Sequence, residues 1–140
     1  MASFVFNSAL RDEAIGNIDY DTDTFKVMLL TSAATPDKDI WSKRSSVTNE
    51  VVGTGYTAGG ALATVTVGAV DTVNDRVEIT LGGASWANST ITARYAVYYK
   101  SRGGAATADE LVAVNDFGSD VTSTNGTFTL NASTYRKTNP

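Results

Sequence analysis

The sequence predicts an all-β protein: a jelly-roll-like β-sandwich with one short N-terminal helix. Apolar and polar residues alternate with a period of two over Ala61–Val70, Val77–Leu81 and Ile91–Tyr99. About seven or eight such short runs are punctuated by turn residues, with 12 Gly against 2 Pro. No long run has a helical period, so the packed solutions are a sandwich, a jelly roll or a barrel. The 140 residues make one domain, 1–140, with a short N-terminal arm over about 1–8 and a polar tail over about 131–140.

Each element has its own signal. Phe4, Val5 and Phe6 form an apolar patch. Asn7 or Ser8 caps a short helix through Ala9, Leu10, Ala14 and Ile15, and Gly16 stops it. Two turns are marginal without tertiary packing. This segment either docks on its own core or reaches a neighbouring subunit. Asp19, Asp21 and Asp23 alternate as at the start of a calcium loop. However, Thr24 stands where that loop needs glycine and Leu30 where it needs a bidentate Glu, so a solvated lead-in to a strand is expected.

Phe25–Thr31 is almost continuously apolar, as in a central or doubly covered strand. Residues 32–46 read as a long loop. Its Trp41 either caps the core or serves as an exposed anchor beside Lys43 and Arg44. Residues 47–56 hold a short strand. Gly53, Gly55, Gly59 and Gly60 follow without the G-K-[ST] ending of a phosphate loop, so they suit bulges or close backbone approach. Residues 61–81 read as a hairpin turning at Val73–Arg76. Trp86 is expected in the core, followed by a strand over Ile91–Tyr99. A loop over 101–109, a strand over 110–115, a polar turn-rich segment over 116–126 and a short strand over 127–130 complete the chain before the tail.

Composition excludes several functions. The net charge of −4 disfavours nucleic acid, which needs a basic footprint. With no Cys and no His, zinc sites of the usual kind and Cys-His or Ser-His-Asp nucleophiles are excluded, and no cofactor is expected. No apolar run reaches the ~20 residues of a membrane helix, and MASFVFNSAL lacks the basic and apolar regions of a signal peptide. Three N-x-[ST] sequons, at Asn88, Asn125 and Asn131, fit chance in a chain rich in Asn, Ser and Thr. Glycoside hydrolysis needs two carboxylates at a set separation. The carboxylates Glu50, Glu78, Glu110 and Asp116 are scattered over different elements, and nothing in the sequence places two of them together. Tyr95, Tyr98 and Tyr99 fall on both faces of one strand, which suits sheet packing better than a sugar platform.

Two stretches carry a family likeness. NEVVGTGYTAGGALATVTV, then ASWANSTITARYAVYYKS, resemble segments of small virion proteins of tailed bacteriophages, and the chain is similar to their capsid cement (decoration) proteins. The likeness covers most of Phe4–Leu130 and is most specific at 50–60 and 86–99. It implies a protein with no active site that coats the outer surface of an icosahedral head. There it would cement major capsid protein subunits against internal DNA pressure. The implied partners are the major capsid protein and a second copy in a homodimer. Chain ends and loops hold the aromatic and Arg anchors that a sandwich core need not consume. On that ground the expected contacts are Phe4, Phe6, Trp41, Lys43, Arg44, Tyr135, Arg136 and Lys137. The rival readings are a carbohydrate-binding receptor module using Tyr98, Tyr99 and Trp41, and a neck or tail structural protein.

Overall fold

The computed structural model describes residues 3–140. Its chain is a β-sandwich of two antiparallel sheets with one short helix, as the alternating pattern predicts. The strands are β1 (Phe4–Val5), β2 (Phe25–Leu30), β3 (Ala61–Ala63), β4 (Val65–Val67), β5 (Arg76–Leu81), β6 (Ala84–Lys100), β7 (Leu111–Leu130) and β8 (Ser133–Thr138). The helix α1 spans Asn7–Ala14. One sheet runs β1-β7-β6-β2-β3 and the other β4-β5-β8.

The large sheet centres on β2 and β6. Five of the six β2 residues are buried, which explains its continuous apolar run. β2 pairs with β6 from Phe25↔Lys100 to Leu30↔Tyr95. Side chains of β6 alternate between two covered faces. Tyr98 turns to the small sheet and donates its hydroxyl to the Gly82 carbonyl at 2.9 Å; Tyr99 turns the other way and donates to the Gly59 carbonyl at 2.6 Å. A sheet covered on both faces explains why all three strand tyrosines are buried.

Four expectations need correction. Residues 61–81 are not one hairpin: β3 pairs with β2, while β4 pairs with β5. The chain changes sheets at Thr64, whose carbonyl accepts the Gly82 N–H at 2.8 Å. Residues 47–56 form no strand and instead touch the sheet through two isolated bridges, Leu30↔Glu50 and Thr54↔Thr90. The polar segment 116–126 is not a turn region but continues β7, with register shifts against β6 that include one between Ala93 and Tyr95. Gly118 at φ +81° and Asn125 at φ +44° take the left-handed backbone that such irregularities require. Finally, 131–140 is not merely a tail, because Ser133–Thr138 completes the small sheet against β5.

The N-terminal segment also docks at home. Phe4 and Val5 pair with Val114 and Ala113 of β7. The Phe6 N–H reaches the Val112 carbonyl at 3.0 Å, and its ring is fully buried.

Candidate interaction surface

Two of the expected contact residues lie inside the protein. Phe6 is 0% and Trp41 8% exposed. Their rings stack at 6.3 Å, and Phe4 meets Phe6 edge-on at 5.3 Å. Loop 32–46 thus folds back to cap the core beside α1, with the Asn7 N–H on the Lys38 carbonyl at 3.0 Å. Trp41 and Phe6 are therefore corrected from surface anchors to core residues; an aromatic ring packed against its own chain has no face left for a partner. Phe4 is only partly buried.

Lys43 and Arg44 form an ionic latch with the loop after β6. Arg44 Nε donates to Asp109 Oδ2 at 2.7 Å, and its guanidinium lies 5.4 Å over the Tyr99 ring. Glu110 receives Arg102 at 2.7 and 3.0 Å and lies 3.6 Å from Lys43 Nζ. Both carboxylates are buried, and desolvation alone would raise a carboxyl pKa. For Glu110, burial does push upward, but the Arg102 hydrogen bonds and the Lys43 charge outweigh it and hold the group below its usual range.

Tyr135, Arg136 and Lys137 lie together on β8 but point to opposite faces. Tyr135 and Lys137 turn toward Glu13 of α1, where Tyr135 donates at 3.0 Å, while Lys137 itself stays exposed. Tyr20 donates to the same carboxylate at 2.9 Å. Glu13 thus ties the helix to the small sheet, and burial followed by the Glu13 charge raises the phenols of Tyr20 and Tyr135. Arg136 turns outward, 53% exposed, and pairs with Glu78 at 2.9 Å. Of the expected contacts, Phe4, Tyr135 and Arg136 converge from the two ends of the chain. They line a cleft of ≈ 230 Å³ between β1 and β8.

A larger cleft, ≈ 550 Å³, was not signalled by any single motif. Its apolar lining is Ile18, Tyr20, Val67, Val77 and Ile79, with Asp19, Asp21 and the paired Glu13 and Lys137 around it. The aspartates of the calcium-like run serve the turn: the Asp21 N–H donates to Asp19 Oδ1 at 2.9 Å and the Asp19 N–H to Asp23 Oδ2 at 2.8 Å. Asp23 also pairs with Lys100 at 2.8 Å. No group of three or more acidic side chains among the described residues is placed to hold a metal ion.

The carboxylates weighed for hydrolysis are each engaged separately. Glu50 receives the Tyr56 hydroxyl at 2.6 Å, Glu110 receives Arg102, Asp116 receives Arg94 at 2.8 Å, and Glu78 receives Arg76 and Arg136. With Tyr98, Tyr99 and Trp41 all buried, the sugar-stacking reading loses the residues that motivated it.

The glycine-rich segment has a structural role. The Thr54 carbonyl accepts the Thr90 N–H at 3.0 Å, bringing GTGYTAGG onto the ANSTIT part of β6. At Gly53 a Cβ would sit 2.7 Å from the Thr90 carbonyl oxygen, and at Gly55 it would sit 2.8 Å from Ser89 Cα. Only glycine permits that approach. Glu50 locks the loop by also accepting the Gly59 N–H at 2.8 Å. No protein-family model, curated protein or solved structure matches the chain.

Proposed function

We propose that the chain is a virion structural protein that binds the outer surface of an icosahedral capsid and cements its major capsid protein subunits. One observation carries the reading. The two stretches that resemble phage cement proteins, 50–60 and 86–99, lie far apart in sequence but interlock through Thr54 and Thr90. The resemblance therefore falls on one packed unit and not on two unrelated strings. The chemistry fits the same role. Acidic, basic and phenolic groups are paired in clamps such as Glu13–Tyr135 and Arg44–Asp109, which stiffen the fold. A stiff module docks with little ordering cost.

On this reading, Phe4 and Arg136 at the β1–β8 cleft are the contacts to test first, and Lys43, Arg44, Tyr135 and Lys137 also stay at least partly exposed. The test is co-sedimentation with mature phage heads stripped of their decoration protein. Saturable binding near one copy per capsid subunit is expected, and Arg136→Ala should weaken it. Absence of binding would overturn the reading.

A further inference from the structure

The small sheet ends at β8, which has no strand beyond it among the described residues. The ladder fixes which backbone groups that edge presents. The Glu78 carbonyl accepts the Gly68 N–H at 2.8 Å and so faces β4. Its neighbours Val77 and Ile79 therefore face β8. On β8 the Asn139 N–H donates to the Asp75 carbonyl at 2.8 Å, and Lys137 and Tyr135 face β5 by the same alternation. Thr134 and Arg136 are left with their N–H and C=O groups turned outward, and both residues are exposed.

The two faces of this edge ask for different side chains. On the outer face, charges alternate in a row across the sheet. Arg76 lies 3.7 Å from Asp71 and 2.9 Å from Glu78, and Arg136 Nε lies 2.9 Å from the same Glu78 oxygen. The row stops at the edge on Arg136, whose Nη atoms have no partner among the described residues. On the inner face, Tyr135 borders the ≈ 230 Å³ cleft with Leu81, opposite Val5, Tyr98 and Ala113 of the large sheet. Arg136 is the only charged residue among the described residues of that lining.

A strand laid along β8 would alternate between these faces. Its residue opposite Arg136 would stand on the outer face, where the row lacks its next anion. Its residue beside Tyr135 would point into the apolar cleft. We propose that the free edge of β8 accepts an extended strand of another protein in which acidic and apolar side chains alternate. A charge on an edge blunts indiscriminate pairing, and here the same charge selects the guest. A second copy pairing through its own β8 would set Arg136 and Lys137 against like charges. The inference stands whether or not the partner is a capsid protein.

The probe is a short peptide alternating Val and Glu, with a Val–Lys peptide of equal length as control. Each is titrated into the intact protein while amide exchange is followed by NMR. Saturable binding of the Glu peptide is expected, with slowed exchange at the Thr134 and Arg136 amides. Arg136→Gln should weaken binding several-fold and leave the melting temperature unchanged, since Glu78 keeps Arg76. Arg136→Glu should reverse the preference, so that the Lys peptide binds better. Thr134→Pro, which removes an outward donor at an edge that tolerates proline, should weaken the Glu peptide's binding several-fold. Equal binding of both peptides to the parent protein, or exchange unchanged at Thr134 and Arg136, overturns the proposal. So does protection of those amides that rises with protein concentration alone, which would assign the edge to a second copy.

Discussion

The Tyr56 hydroxyl donates to Glu50 at 2.6 Å and accepts the Leu29 N–H at 3.0 Å, so one side chain joins the glycine-rich loop to the central strand β2. Leu29 is fully buried. Removing the hydroxyl leaves its N–H without a partner, and an unmade buried hydrogen bond costs about 1–3 kcal/mol. Tyr56→Phe should therefore lower stability by about that amount in urea denaturation. An unchanged midpoint would mean that water replaces the hydroxyl.

Gly60 is a second anchor of that loop. Its φ is +81°, and a Cβ there would lie 1.8 Å from the Val27 carbonyl oxygen, which is backbone and cannot swing aside. Gly103 has a similar φ of +78° but open space around it. Gly103→Ala should cost only the left-handed strain, about 1–2 kcal/mol. Gly60→Ala adds a steric clash and should cost about 3 kcal/mol or more, or prevent folding. Comparing the two melting temperatures separates strain from close approach.

Trp41 offers a direct check on the corrected loop. Its ring is 8% exposed and stacks on Phe6. Trp41→Ala should destabilise by about 3–5 kcal/mol, as large aromatic deletions in cores do. A variant with an unchanged melting temperature would return Trp41 to the surface.

Much of the fold was legible in local pattern. β2 announced itself by its apolar run and the 77–81 and 91–99 strands by alternation, because those signals arise from burial of one or both faces. The sheet change at Thr64 was not legible, since alternation continues unbroken across it. The join between β7 and its polar stretch was missed for a related reason. Residues 116–126 form a ribbon with β6, much of it exposed and polar on both faces, and look like loop to any pattern based on burial. Among site residues, Trp41 was ambiguous because a loop tryptophan beside cations fits a cap and an anchor equally. Lys43 and Arg44 looked like free cations because their partners Glu110 and Asp109 lie about 65 residues away.

The Glu110 latch gives the stability a defined acid limb. Its carboxyl is held below its ordinary value: burial raises it, while Arg102 and Lys43 lower it further. Asp116 behaves alike, with burial opposed by Arg94 and the Gly118 N–H. A carboxyl with a depressed folded pKa binds protons less readily than in the unfolded chain. Its stabilisation is full above the unfolded value, about 4.3 for Glu and 3.9 for Asp, and is lost as pH falls through the folded value. Unfolding free energy should hold steady near neutrality and decline below about pH 4.5. Glu110→Gln keeps the shape but leaves Arg102 and Lys43 facing a neutral amide. That variant should be less stable at pH 7 and should lose less on acidification, with Asp116 and the turn aspartates Asp19 and Asp71 supplying the remaining slope. Urea midpoints measured from pH 7 down to pH 3 read both effects. Parallel curves for the variant and the parent would remove Glu110 as a source of the acid limb.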